Sequence, residues 1–140
     1  MPVDRDVVNL RLARIEGHLA ELEELERLSR YELTADYRRY RRAKAAVSST
    51  VLALASILRH ADRATGGKSA DPLAAAVTAG WLPADLAPRL RSWLELEPIL
   101  ARSHYEEDRD LIYDLVASGR SALIELARAI TAWMDREGIE

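Results

Sequence analysis

Val8, Leu12, Ile15, Leu19 and Leu22 recur at spacings of four and three, and a similar rhythm returns in Val47, Val51, Leu54 and Leu58. Apolar side chains at that period line one face of an α-helix, whereas a half-buried strand needs strict alternation. A chain written this way must bury helix faces against one another. Ala43, Ala46 and Ala55 accompany the second stripe and let a neighbouring helix come close. Composition points the same way: Gly and Pro total eleven of 140 residues and Phe is absent, which favours helix over a β-sandwich or barrel. With 49% apolar and 31% charged residues, one soluble domain covering residues 1–140 with one core is expected.

Local signals divide the chain into five predicted helices. Asp4 or Asp6 caps the first, which fades near Ser29. Tyr31-Glu32-Leu33 reads as a connection, and Thr34 as the cap of a second helix over about 35–64 that ends at Gly66-Gly67. Asp71-Pro72 opens a short third helix, a capping carboxylate followed by proline at the first helical position, and Gly80 closes it. Pro83 opens a fourth, carrying Leu86, Leu90, Trp93 and Leu94 towards His104, with Pro98 expected to kink or split it. The fifth starts near Asp108, packs through Ile112, Leu115, Val116, Leu123, Ala127, Ile130 and Met134, and ends at Gly138. The expected fold is all-α: an antiparallel four-helix bundle with a short extra helix between the second and fourth long segments.

Several function classes drop out. The chain has no cysteine, which removes disulfides, thiolate catalysis and Cys-based zinc sites. A net charge of −3 gives no global attraction to nucleic acid, so such binding needs a local basic patch. Residues 1–10 lack an apolar signal-peptide core, and the weakly polar run Ala45–Leu58 is too short to span a bilayer. A cytoplasmic location without membrane association is therefore expected. His18, His60 and His104 show no i, i+4 pairing, and Glu106, Glu107, Asp108 and Asp110 suit the N-terminal dipole of the fifth helix, so neither a metal nor a cofactor is expected. Gly66-Gly67-Lys68-Ser69 is similar to the end of a phosphate-binding loop, but the full pattern needs glycine where Asp62 stands and a strand before it.

Two segments carry candidate chemistry. Tyr37-Arg38-Arg39-Tyr40-Arg41-Arg42 interleaves guanidiniums with phenols. Arg38 and Arg42 share a helix face and are the candidate nucleic-acid contacts. The alternative is an ion-paired surface with Glu21, Glu24 and Glu26 opposite Arg42, Arg39 and Arg38. In Arg102-Ser103-His104-Tyr105, a histidine beside an arginine could act as base on a ribose hydroxyl while the guanidinium steadies the phosphate, which would cleave RNA without metal. A homodimer is also expected, because Val8, Leu12 and Leu19 exceed what one bundle needs and Trp93, Trp133 and Met134 add apolar surface.

The order of elements resembles the HEPN superfamily, specifically the HepT-like toxins, over roughly residues 4–130. The likeness rests on the two long opening helices and on Ser69-Ala70-Asp71-Pro72-Leu73 leading to Ala79-Gly80-Trp81-Leu82-Pro83. It also rests on a His/Tyr segment followed by Asp110-Leu111-Ile112-Tyr113-Asp114-Leu115. The resemblance implies an all-helical homodimer, a metal-independent ribonuclease, and an MNT-type nucleotidyltransferase antitoxin that silences its partner by adding AMP to a tyrosine. The family motif is arginine, four to six residues, then His-x-Tyr. With Tyr105 as the motif tyrosine, the histidine position holds Ser103 and, at the commonest spacing, the arginine position holds Pro98. Three readings follow. The chain is a HepT-like component of a toxin–antitoxin module, weakened as a nuclease and working by binding a nucleotidyltransferase, with Tyr105 as the modified residue. Or it is an active endoribonuclease using His104 with Arg102 or a basic residue of a second subunit. Or it is a plain helical dimerisation module.

Overall fold

The computed structural model describes residues 3–100 and 105–139, with backbone alone at 99–100 and 105–108. Among the described residues all regular structure is helical: α1 (Arg5–Leu25), α2 (Arg30–Ala35), α3 (Tyr37–Ala64), α4 (Pro72–Thr78), α5 (Ala87–Leu94), α6 (Glu97–Leu100), α7 (Tyr105–Ser118) and α8 (Arg120–Arg136).

The starts follow from local chemistry. The Asp4 carboxylate accepts the Asp6 and Val7 amides, Asp36 accepts those of Arg38 and Arg39, and Asp71 accepts that of Ala74. Each satisfies a helix N–H that has no partner within the helix. Ser29 and Glu32 close a reciprocal capping box at the head of α2. Gly66, Gly80 and Gly138 take positive φ where helices have ended, a conformation open to glycine without steric penalty.

Side-chain bonds fix how the helices lie. At one end of the α1–α3 pair the Asp4 amide donates to His60 Nε2 at 3.0 Å. Midway, Arg11 Nε reaches Ser56 Oγ at 3.0 Å. At the far end Glu21 and Glu24 share a crevice with Arg39 and Arg42. The two helices are therefore antiparallel. α8 also runs opposite to α1: Arg5 binds Asp135 at 2.7 Å near the start of α1, and Arg120 donates Nε and Nη2 to the two oxygens of Glu26 at 3.0 and 2.8 Å beyond its end. One core joins the helices, from Val8, Ile15 and Leu22 through Val47, Leu54 and Leu58 to Ile112, Leu126 and Ile130. Trp81 stacks on Trp133 with centroids 5.2 Å apart.

The all-α bundle is as expected, but several boundaries differ. Tyr31-Glu32-Leu33 is not a connection; it lies within α2, because the Ser29–Glu32 box nucleates a helical turn there. Asp36, not Thr34, caps the next helix, and the Thr34 hydroxyl bonds back to the Arg30 carbonyl at 2.8 Å. Pro83 does not open a helix; α5 begins at Ala87 with Pro88 in its first turn. Pro98 stands second in the separate α6, so the expected fourth helix is split. The expected fifth helix is two, beginning at Tyr105 and broken at Gly119. The four long helices are thus α1, α3, α7 and α8.

The residues that suggested a second copy have another use. Val8, Leu12, Trp93, Trp133 and Met134 are buried inside this chain's own core, and Leu19 packs against it.

Candidate functional site

The His/Tyr segment falls where α6 gives way to α7. Arg102 and His104 lie outside the described residues. Tyr105 is the first residue of α7, described in its backbone alone. Glu106, Glu107 and Asp108 therefore sit in the opening turn of that helix and not ahead of it, where negative charge complements the dipole.

The following turns of α7 are fixed from α2. Arg30 Nη1 donates to Asp110 at 2.6 Å, Nη2 lies 3.8 Å from Asp114, and the guanidinium sits 5.0 Å over the Tyr113 ring. One cation thus meets two carboxylates and an aromatic face on successive turns. Half of the Arg30 side chain stays exposed, so the clamp orients the outer face of α7 more than it stabilises the fold. Sequence reasoning missed Arg30. Only its place as the first residue of α2 was legible, in the Ser29-x-x-Glu32 turn; its partners on α7 carry no local signal. The Ser29 amide and hydroxyl hold the Glu32 carboxyl below its ordinary value, so it remains an anionic cap. Pro98, the motif's arginine position, is exposed in the first turn of α6, a place where proline leaves no backbone bond unmade but supplies no cation.

The basic run occupies the first turns of α3. Arg38 and Arg42 are both exposed and one helical turn apart. Arg42 shares its crevice with Arg39, Glu21 and Glu24, while Arg39 donates to the Glu32 carbonyl at 2.8 Å. Arg41 covers the Tyr37 ring at 5.7 Å. Glu21 and Glu24 do lie opposite Arg42 and Arg39, but Glu26 does not face Arg38; it is taken by Arg120. Tyr31, at 79% exposure, and Tyr37, at 60%, are also open to solvent.

The other histidines have structural partners. His18 Nδ1 lies 3.4 Å from Glu21 and His60 accepts the Asp4 amide. Among the described residues no three His, Asp or Glu side chains converge on a point where a cation could sit, and no helix is long and apolar enough to cross a membrane.

A cavity of about 670 Å³ lies elsewhere, between the C-terminal turns of α3, the 65–71 loop, α4, α5 and α6. Asp62, only 8% exposed, sits at its wall. Its carboxylate accepts the Ser69 amide at 2.8 Å and the Ser69 hydroxyl at 2.9 Å. Arg91 pairs with Asp71 at 2.9 Å, and the Ala74 amide, with help from Arg91, holds the Asp71 carboxyl below its ordinary range.

No family model matches the chain, and neither do curated proteins or solved structures.

Proposed function

We propose that the chain is a HepT-like component of a toxin–antitoxin-type module, weakened as a metal-independent ribonuclease, that works by binding an MNT-type nucleotidyltransferase. The single observation that carries this reading is that Pro98 lies in α6 and Tyr105 at the head of α7. The motif's arginine and tyrosine positions thus flank one helix junction, and the arginine position holds a residue without charge. A positioned base typically contributes about 10²–10⁴-fold to such a reaction, and one donor to the developing charge about 10²–10³-fold. With proline and serine at those two positions, binding outlasts catalysis.

The supporting features lie around that junction. The Arg30 clamp fixes the face of α7 just beyond Tyr105. Arg38, Tyr31 and Tyr37 are exposed basic and aromatic side chains of the kinds that grip phosphates and stack bases. A homodimer is part of the proposal and rests on the family likeness alone.

The test is co-expression with an MNT-type nucleotidyltransferase, followed by affinity capture and mass spectrometry. The reading requires a stable complex and one AMP on Tyr105. AMP on another tyrosine, or no complex, removes it.

A further inference from the structure

The 670 Å³ cavity is lined in part by Lys68 and Ser69 of the Gly66-Gly67-Lys68-Ser69 turn, which the proposed function does not use. That turn cannot cradle an anion with its own donors. The Ser69 amide and hydroxyl are both spent on Asp62, an internal carboxylate where a ligand would otherwise sit. A Cβ on Gly67 would stand 2.4 Å from Asp62 Oδ1, so glycine is what lets the loop wrap this closely. The α4 N-terminus is occupied in the same way by its own Asp71. What the wrapped turn does is bring Lys68 into the cavity lining.

Arg59 and Arg63 of α3 line the same cavity, four residues apart and so on one helix face. Among the described residues none of the three has a hydrogen-bonded or ion-paired side chain. The acids beside them are largely committed: Asp62 to Ser69 and Asp71 to Arg91 and Ala74, leaving Glu97 at the edge. Three uncommitted cations therefore line one cavity in a chain whose net charge is −3. Leu58, Leu73 and Leu94 give the same cavity an apolar floor. Its size lies within the roughly 300–1,000 Å³ of small-molecule sites.

We infer that this cavity binds a mononucleotide-sized phosphate ester, its phosphate held by Arg59, Arg63 and Lys68 and its base laid on Leu58, Leu73 and Leu94. Arginine suits the planar phosphate edge and lysine the point charge beside it. Burial of a ring on the leucine floor supplies the part of affinity that free phosphate lacks. The inference does not depend on the HepT-like reading, since no residue of the His/Tyr segment takes part.

Isothermal titration of the whole chain with AMP, adenosine and inorganic phosphate tests it. AMP should bind saturably, and the two fragments more weakly by roughly tenfold or more each. Arg59→Ala with Arg63→Ala should weaken AMP binding by roughly tenfold or more while circular dichroism stays unchanged, as both residues are exposed. Arg14→Ala with Arg128→Ala removes the same charge from exposed positions on α1 and α8 and should leave AMP binding unaltered. No saturable AMP binding at millimolar concentration overturns the inference. So does an equal loss in both double variants, which would mark attraction by diffuse charge.

Discussion

The indole of Trp93 donates Nε1–H to the carbonyl of Gly119 at 3.1 Å, inside the core. This bond joins α5 to the break between α7 and α8, and packing holds the two groups equally close. A Cβ on Gly119 would meet Trp93 Cζ2 at 2.8 Å and the Leu115 carbonyl at 2.7 Å. The Gly119 backbone has φ −90°, which any residue adopts, so glycine is needed here for room and not for conformation. Alanine in open space would gain a little from a less flexible unfolded chain; here it must push the indole aside. Gly119→Ala should lower stability by about 1–3 kcal/mol. Trp93→Phe, which removes the donor and part of the packing, should do so by about 1–3 kcal/mol. Urea melts read both, and a neutral Gly119→Ala would show that α5 yields at this contact.

Thr50 carries a second prediction. It is fully buried in α3, and its hydroxyl has no hydrogen-bond partner among the described residues. Valine has nearly the same shape and a similar helix propensity. Thr50→Val should therefore stabilise the fold by up to about 1 kcal/mol, because it removes a buried polar group that gains nothing. A loss of stability in the same melts would mean the hydroxyl is satisfied, for instance by an internal water.

Glu26 and Arg120 set a pH dependence. The Arg120 hydrogen bond holds the Glu26 carboxyl below its ordinary value of 4.5, and the Arg120 guanidinium is raised in turn by Glu26. A carboxyl lowered by folding stabilises fully above its unfolded value, and that contribution disappears as pH falls through the folded value. The melting temperature of Glu26→Gln should lie below that of the unaltered chain at neutral pH, and the gap should close below about pH 4.5. The pair is partly exposed, at 28% and 27%, so salt should shrink the gap as well. A gap that persists at acid pH would assign the loss to packing instead of charge.

How far the fold was legible follows from which forces act locally. The stripes of α1 and α3, the caps at Asp4 and Asp71 and the stop at Gly66-Gly67 are local chemistry, and they read directly. The Ser29–Glu32 box was equally local but opens a helix of six residues, too short to show a period beside the longer stripes. The break at Gly119 was not legible, because an isolated glycine sits quietly inside many helices and the tryptophan that enforces this one is 26 residues away. The Glu26–Arg120 pair spans 94 residues and carries no sequence signal at all. At the candidate site the helix junction was visible in advance, whereas the Arg30 clamp depends on α2 meeting α7 and needed the fold. The expected pairing of Glu26 with Arg38 failed for the same reason, since α8 supplies a nearer guanidinium.

The most direct test of the proposed function is metal-free RNA cleavage by the unaltered chain, measured beside Pro98→Arg with Ser103→His and beside His104→Ala. Pro98 is exposed in the first turn of α6, so arginine fits there without disturbing the core. The account predicts background cleavage by the unaltered chain and by His104→Ala, and a rise above background in the double variant. Robust cleavage by the unaltered chain that vanishes in His104→Ala would contradict it, and would make this an active ribonuclease built on His104 with Arg102.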